Sequence, residues 1–424
     1  MSSVHLGYGR AVVSFDYDET RFTLLAPRGG EGAHALSDAE VGEAIDAPID
    51  SPPLEEVVSA GDSVLIVVSD ATRASASSQV VNLLVRRLIE SGGAPGDIRI
   101  IFATGIHRAV THAEKLELLS PFIAKRIRTL DHDAYDKEAQ VYLGVTARGT
   151  PVEVNRALKE HTRVILTGAV GFHYFAGFTG GRKSVCPGLA SARTVEATHM
   201  LALDFEKGGR RGGVGTGLLE GNAVHEECER IADIVNPSFL INTVVDDEGR
   251  AVKVYAGDWR AAHRRACDEY LEEHSLEIES KRDLVIVSAG GSPWDINLIQ
   301  SHKALEMAAH ATREGGDIIL LAECADGLGR TDFLKWFDAA DSSALEERLR
   351  QGYEVNGQTA WSLMVKAEKF RVQLVSRLAE GDVRRMRMSP ARSLEEALAK
   401  VGGEPEGYIM PRGSAVLPRV PTPD

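Results

Sequence analysis

Cysteine is scarce in this chain of 424 residues. The four cysteines, Cys186, Cys228, Cys267 and Cys324, are far apart and include no C-x-x-C pair. Disulfide scaffolds and structural zinc sites need dense or regularly spaced cysteines, so neither class of protein is expected. Because unpaired thiols persist in a reducing compartment, we expect a cytoplasmic protein.

Long apolar runs and an excess of positive charge are also missing. The strongest apolar run, Val64 to Val68, is far shorter than the roughly 18 residues of a membrane span, and Met1 to Arg10 lacks the pattern of a secretion signal. Lys and Arg number 48 against 62 Asp and Glu, which gives a net charge of -14. Binding to nucleic acid or to anionic membranes is therefore not expected, and an anionic substrate needs a local basic pocket.

Short runs rich in Val, Ile and Leu predict buried parallel strands. These runs are Val64 to Val68, Ile98 to Ala103, Val164 to Ala169 and Leu284 to Ala289. After the first run, apolar residues from Val80 to Ile89 recur at helical spacing, and Gly92 and Gly93 provide a stop. Thr111 and Glu114 form a capping box for the next helix. Strands that alternate with helices predict an α/β fold with mostly parallel sheets and flanking helices.

The length of the chain predicts two domains. The strongly charged segment Tyr270 to Lys281 is the candidate boundary, because a second strand and helix pattern starts near Lys281. We predict an N-terminal α/β cofactor-binding domain over residues 1–275 and a C-terminal α/β domain over residues 276–399. The proline-rich tail, residues 400–424, is predicted to be extended and to pack back on the N-terminal domain.

Unusual polar residues follow the predicted strands, where ligands bind in open α/β sheets. The first strand leads into Asp70-Ala71-Thr72-Arg73, the second into Gly105-Ile106-His107-Arg108 and a later one into Gly171-Phe172-His173. The first strand of the second block leads into "GGSPWDINLIQSHKA". We therefore expect the active site in a cleft between the two domains.

The segment "GFHYFAGFTGGRKS", Gly171 to Ser184, is partly similar to a phosphate-binding P-loop. The glycine that should precede the lysine is Arg182, which disfavours the nucleotide triphosphate interpretation. Lys183 is a candidate phosphate partner or, if desolvated, a nucleophile. His199, on a helix predicted to begin near Ser191, is a second candidate ligand-binding residue.

A different segment, "LDHDAYD", has the residue types of a metal site, with His132 between Asp131 and Asp133. We interpret it as a hydrated surface turn.

Taken together, six motifs in order resemble the nickel-dependent lactate racemase family. They are D-x-T-R, G-x-H-R, G-F-H-x-F, G-G-R-K, a downstream T-H and D-I-N-L-x-Q-x-x-K, and they run from about Asp70 to Lys303. The resemblance implies a nickel-pincer nucleotide, Ni(II)-pyridinium-3,5-bisthiocarboxylate mononucleotide. Lys183 matches the lysine that some members join to the cofactor through a thioamide, and His199 matches the histidine that coordinates nickel.

The resemblance also assigns the remaining site residues. Asp70, Ala71, Thr72 and Arg73 match the loop that contacts cofactor and substrate, and His173 matches a residue that touches the cofactor as well. His107 and His173 match the catalytic acid/base pair, which suits inversion from either face of a carbon.

For substrate binding, the matching residues are Arg73, Gln300, Lys303 and Trp361. Gln300 and Lys303 are three residues apart and so share a helical face. Ile299 stands where tyrosine is expected in lactate-specific members, which leaves the preferred acid open between lactate and a related or larger 2-hydroxy acid, an aldonic acid included.

We therefore predict an isomerase, a racemase or epimerase that inverts C2 of a small 2-hydroxy carboxylate by reversible hydride transfer to the nickel nucleotide. Cofactor-biosynthesis proteins are the expected maturation partners, and the sequence leaves open whether the protein forms a homo-oligomer. Two alternatives remain. An NAD-dependent 2-hydroxy acid oxidoreductase shares the α/β pattern, although the G-x-G-x-x-G fingerprint is missing. A noncatalytic nickel or nucleotide carrier would have no need for His107, His173, Gln300 and Lys303 together.

Overall fold

The computed structural model describes residues 2–27 and 34–421, which form two compact units. The first unit contains residues 34–202 and 211–271, and the second contains residues 2–27, 203–210 and 272–421. The chain therefore changes units between residues 27 and 34, after residue 202, after residue 210 and again after residue 271.

The strands are numbered along the chain. They are β1 Ser2–Tyr8, β2 Ala11–Tyr17, β3 Phe22–Leu24, β4 Val64–Ser69, β5 Ile98–Ala103, β6 Arg128–Leu130, β7 Gln140–Val145, β8 Pro151–Asn155, β9 Arg163–Ala169, β10 Phe172–His173, β11 Gly177–Phe178, β12 Phe239–Val245, β13 Ala251–Gly257, β14 Ser275–Glu277, β15 Arg282–Ser288, β16 Thr312–Leu321, β17 Arg371–Val375, β18 Ser389–Ala391, β19 Gly407–Met410 and β20 Leu417–Arg419.

The α-helices are numbered in the same way. They are α1 Asp38–Asp46, α2 Leu54–Val57, α3 Ser77–Glu90, α4 His112–Arg126, α5 Ala157–Glu160, α6 Ala192–Met200, α7 Ala223–Val235, α8 Trp259–His274, α9 Leu298–Ala311, α10 Ser342–Gln351, α11 Val355–Lys369, α12 Glu380–Arg385 and α13 Leu394–Ala399. None of the helices within the described residues combines the length and the apolar character needed to cross a lipid bilayer.

A six-stranded sheet in the order β13-β12-β9-β4-β5-β6 forms the centre of the first unit. Every pair is parallel except the β12–β13 edge. Alternate strand residues such as Ile66, Val68 and Ile100 point to one face, where helices α1, α3 and α4 cover them. The apolar stripe of α3, Val80 to Leu88, is buried there, as its helical spacing predicts.

The second unit has its own six-stranded sheet, in the order β18-β17-β16-β15-β19-β3, and all its pairs are parallel. On one face, Leu284 and Ile286 of β15 pack with Leu6 of the β1–β2 hairpin and with Leu394 of α13. The predicted α/β class with mostly parallel sheets and flanking helices is confirmed.

The limits of the two units differ from the predicted limits at residues 275 and 399. The charged segment 270–281 is the end of α8 and the strand β14 rather than a linker, and the change of unit falls after residue 271. Residues 2–27 group with the second unit because Leu6 is buried in its core and β3 pairs with β19. The extended tail pairs its strands with β15, β3 and β14 of that same unit.

Candidate active site

The candidate site begins where three parallel strands of the first unit end. Strand β4 ends at Ser69 and is followed by Asp70, β5 ends at Ala103 and leads to His107, and β9 ends at Ala169 and leads to His173. Strands β5, β4 and β9 are neighbours in the sheet, so their carboxyl ends lie side by side. The order of the strands therefore gathers residues that are about a hundred positions apart in the sequence.

Asp70 opens a tight turn. The backbone N–H and the hydroxyl of Thr72 both donate to Oδ1 of Asp70, at 2.9 and 2.6 Å, and the N–H of Arg73 donates to the Asp70 carbonyl at 3.1 Å. Asp70 is buried, whereas Ala71 and Thr72 are exposed. Helix α3 begins only at Ser77, so Asp70 caps this turn and not the helix.

His107 is bound to Asp70. Its Nδ1 lies 2.8 Å from Oδ2 of Asp70, and the ring is about half exposed. Burial by itself raises the pKa of Asp70, but the hydrogen bond and charge of His107, together with Arg73, lower that pKa below its ordinary value. Asp70 is therefore an ionised carboxylate at neutral pH.

His173 lies on the small hairpin of β10 and β11. Its Nδ1 accepts a hydrogen bond from the backbone N–H of Ala176 at 3.2 Å, and its ring packs edge-on against Phe175 with 4.4 Å between centroids. The hairpin depends on Gly177, whose φ is +77° and where an added Cβ would lie 2.1 Å from the Leu218 carbonyl oxygen. Only glycine fits there.

Phe175 connects the histidine hairpin to Lys183 and His199. The Lys183 Nζ lies 5.6 Å from the centre of the Phe175 ring, and the His199 ring packs edge-on against the same ring at 5.0 Å. Helix α6 carries His199 and begins after Ser191, whose hydroxyl caps it, as predicted. The structure thus brings His173, Lys183 and His199 around one aromatic ring.

Burial controls the charge state of Lys183 and His199. Desolvation, with the nearby charges of Arg73 and Arg182, places the pKa of Lys183 well below its ordinary value of 10.5. Desolvation also lowers the pKa of His199 to about 3, with Lys183 and His107 adding to the effect. A lysine amine with a low pKa and a neutral imidazole are the forms that bind an electrophile and a metal, respectively.

Sequence reasoning treated Arg182 only as a departure from the P-loop pattern and missed its place in the structure. Its side chain is 1% exposed, and its guanidinium donates to the Ala176 carbonyl at 2.7 Å and contacts His263 Nε2 at 3.0 Å. Arg182 thereby holds the segment whose Ala176 N–H binds His173. No local signal distinguishes Arg182 from an exposed arginine, because its sequence neighbours are glycine, lysine and serine.

The interpretation of "LDHDAYD" as a surface turn is wrong for His132, although Asp131 and Asp133 are exposed. His132 is 2% exposed, its Nε2 donates to the Ala190 carbonyl at 3.2 Å and its Nδ1 faces the Asn155 amide at 3.3 Å. Among the residues that the structure describes, no three His, Cys, Asp or Glu side chains are grouped so that they would hold a metal ion.

The predicted substrate residues Gln300, Lys303 and Trp361 belong to the second unit. The Lys303 ammonium donates to Oε1 of Gln300 at 2.7 Å, so the two side chains do share one face of α9. Both are partly exposed, as is Ile299, and Trp361 on α11 is buried. Their role toward a substrate stays a prediction.

Two family models match this chain. The lactate racemase N-terminal domain matches residues 8–209, and the lactate racemase C-terminal domain matches residues 278–413. The chain is 29% identical to the lactate racemase of Thermoanaerobacterium thermosaccharolyticum, over 99% of this chain and 100% of the relative. It is 30% identical to the lactate racemase of Lactiplantibacillus plantarum, over 98% of this chain and 100% of the relative.

Solved structures agree with these matches. The lactate racemase apoprotein from T. thermosaccharolyticum superposes with a TM-score of 0.89 at 28% identity, covering 99% of this chain and 100% of that one. A protein from Thermotoga maritima, at 18% identity and a TM-score of 0.68, shares the fold over 91% of this chain and 99% of its own.

Proposed function

Because this chain belongs to the lactate racemase family and is an isomerase, we propose that it racemises lactate or a related 2-hydroxy acid with His107 and His173 as its acid/base pair. The observation that carries the proposal is that His173, Lys183 and His199 surround Phe175, while His107, which is bound to Asp70, is near enough to His199 to lower its pKa. Neither an NAD-dependent dehydrogenase nor a passive carrier needs this set of four side chains.

The donor set fits a nickel-pincer nucleotide. His199 is neutral at physiological pH, so its nitrogen lone pair is available to nickel. The low pKa of Lys183 makes its amine available for a covalent bond to a carboxyl-derived group. Arg73 would bind the anionic parts of the nucleotide, and Asp70, Ala71 and Thr72 of the same turn would contact its neutral polar groups. When bound, the cofactor supplies a two-electron acceptor for the hydrogen on C2.

The acid/base steps belong to the protein. One histidine takes the hydroxyl proton while C2 loses its hydrogen, which leaves a planar 2-keto acid. Return of hydrogen to the other face, with a proton from the second histidine, inverts C2. We further propose that Arg73, Gln300 and Lys303 bind the substrate carboxylate and that Trp361 lines the pocket. Ile299 in place of tyrosine favours 2-hydroxy acids with a larger apolar group.

We also propose that the protein works in the cytoplasm with the help of cofactor-biosynthesis proteins. Its four cysteines are free, buried thiols, which suits a reducing compartment. Expression in a host able to make the nickel nucleotide is therefore the condition for every assay of activity.

The deciding experiment gives the nickel-loaded protein one enantiomer of lactate, and then of longer 2-hydroxy acids, and follows optical rotation. We expect rotation to decay to zero without formation of NADH. His107→Ala and His173→Ala should each lower kcat by about 10²- to 10⁴-fold, and His112→Ala, an exposed histidine at the start of α4, should not. Keto acid and NADH formed in equal amounts would indicate a dehydrogenase, and bound nickel without turnover of any acid would indicate a carrier.

A further inference from the structure

The hydrogen bond between Asp70 and His107 determines which nitrogen of the His107 ring carries a proton. Thr72 occupies Oδ1 of Asp70 with two donors, and Oδ2 faces His107 Nδ1 at 2.8 Å. An ionised carboxylate only accepts hydrogen bonds, so Nδ1 must donate. In the neutral ring Nε2 then carries the lone pair, which is the atom that a general base needs.

His173 has the opposite arrangement. Its Nδ1 accepts from the backbone N–H of Ala176 at 3.2 Å, and the Phe175 N–H lies at 3.5 Å from the same atom. A backbone N–H only donates, so Nδ1 of His173 is unprotonated. The proton of the neutral His173 ring is therefore on Nε2.

From these contacts we infer that Asp70 is a positioning residue for His107, and that the two histidines rest in opposite tautomers. His107 presents a proton-accepting Nε2, and His173 carries an Nε2–H. The tautomers follow from the contacts alone, and only their consequence for the reaction rests on the proposed function. The hydrogen bond to His107 gives Asp70 a task other than the cofactor contact that the family resemblance implies.

The consequence for the reaction is an unequal pair. When a substrate hydroxyl gives up its proton to His107, the O–H bond breaks, an Nε2–H bond forms and the ring becomes an imidazolium beside the Asp70 carboxylate. The resting, neutral His173 ring offers its Nε2–H only as a hydrogen-bond donor, because loss of that proton would leave an imidazolate, and it can give up a proton only after it has become an imidazolium. To accept a proton and become an imidazolium, it must first lose the hydrogen bond from Ala176.

Substitution of Asp70 by asparagine gives a sharp test, because Thr72 fixes the orientation of the new amide. Both Thr72 groups act as donors toward Oδ1, so the amide oxygen stays on Thr72 and the amide NH₂ faces His107. The NH₂ donates to Nδ1 and forces the proton of His107 onto Nε2. Asp70→Asn should therefore invert the His107 tautomer without removing a side chain from the site.

The tautomers are measured on the full-length chain with ¹⁵N-labelled histidine, by two-bond ¹H–¹⁵N correlation at a pH where the rings are neutral. His→Gln variants assign the signals. We expect Nδ1–H for His107 and Nε2–H for His173. His132 is the internal control: its contacts with Ala190 and Asn155 predict Nε2–H, and none of them involves Asp70.

In Asp70→Asn we expect the His107 signal alone to switch to Nε2–H. In the nickel-loaded variant, kcat should fall by about 10²- to 10⁴-fold with little change in KM or nickel content. An Nε2–H form of His107 in the unsubstituted protein would overturn the inference, and this result does not require Asp70→Asn to fold. Loss of nickel together with the rate would assign Asp70 to cofactor binding instead. Failure of the unsubstituted enzyme to racemise any acid would overturn the proposed function and leave the tautomers as measured.

Discussion

At the scale of single residues, both units of this protein bury charged side chains. In the first unit, Arg182 is a fully buried cation that interacts with two carbonyls and a histidine, and no carboxylate within the described residues forms an ion pair with it. Such a charge is expensive to bury unless its hydrogen bonds are well placed. In the second unit, by contrast, buried side chains of opposite charge lie together.

Glu306 is the centre of that group. It is 3% exposed, Arg210 binds its Oε1 at 2.9 Å and the Lys366 ammonium binds its Oε2. Glu306→Gln would leave the buried Lys366 and the partly exposed Arg210 without their carboxylate, so we expect a loss of about 3–5 kcal/mol in the free energy of unfolding. Urea titration followed by circular dichroism measures it. Glu347→Gln, whose exposed carboxylate lies 3.5 Å from Arg350, is the matched control and should change stability by less than about 0.5 kcal/mol.

The same group predicts a dependence of stability on pH. Burial raises the pKa of Glu306, but Arg210 and Lys366 outweigh it and hold that pKa well below its ordinary value of 4.5. A carboxylate with a depressed folded-state pKa stabilises the fold above its unfolded pKa and loses that contribution as the pH falls toward the folded value. The free energy of unfolding should therefore fall less in Glu306→Gln than in the unsubstituted protein when the pH is lowered below 4.5. Urea titrations at several pH values measure this, and an equal fall in both proteins would contradict the prediction.

At the scale of secondary-structure elements, the β10–β11 hairpin is held from two sides. Arg182 donates to the Ala176 carbonyl, and the Gly217 N–H donates to the Gly177 carbonyl at 3.1 Å. These bonds fix the loop that binds His173 Nδ1. The position of His173, the proposed acid/base residue, thus depends on hydrogen bonds from outside the hairpin.

Gly177→Ala tests this dependence. The new Cβ would overlap the Leu218 carbonyl oxygen and the residue would keep a left-handed φ, so we expect a loss of about 3 kcal/mol or more in stability and a strong loss of racemisation. Gly221→Ala is the control, since φ is +72° there and nothing lies within 4 Å of the new Cβ. It should cost only about 1 kcal/mol. Equal effects of the two variants, measured by urea unfolding and by the rotation assay, would refute the argument.

At the scale of the whole molecule, the second unit is built from separate parts of the chain. Its sheet takes β3 from the start of the chain and β19 from the tail, and its core includes Leu6. A domain defined by sequence order alone therefore omits pieces of its own sheet.

A fragment of residues 276–399 should consequently fail to fold cooperatively. It lacks β19 and β3, which would leave one edge of β15 unpaired and its apolar face uncovered. A fragment of residues 34–271 keeps all six strands of the first sheet and serves as the control, with a cooperative thermal transition expected. Thermal unfolding by circular dichroism distinguishes them, and a cooperative transition in the shorter fragment would contradict the prediction.

The sequence by itself determined the α/β class, the main strands and the family. Short runs of Val, Ile and Leu, such as Val64 to Val68, have few alternatives to a buried strand, and the capping signals at Thr111 and Ser191 are local, so both can be found in neighbouring residues. The motifs also identified Lys183, His199 and both histidines as candidates.

Only the tertiary structure decided how these residues are paired. Asp70 and His107 meet because β4 and β5 are neighbouring parallel strands, and Ala176 reaches His173 because Arg182 and Gly177 hold the hairpin. It also decided that His132 is buried and that residues 2–27 belong to the second unit, where β3 joins the six-stranded sheet. Such facts depend on contacts between segments that are distant in the sequence. The free energy of these contacts depends on the whole packed fold, so it leaves no periodic pattern in the sequence.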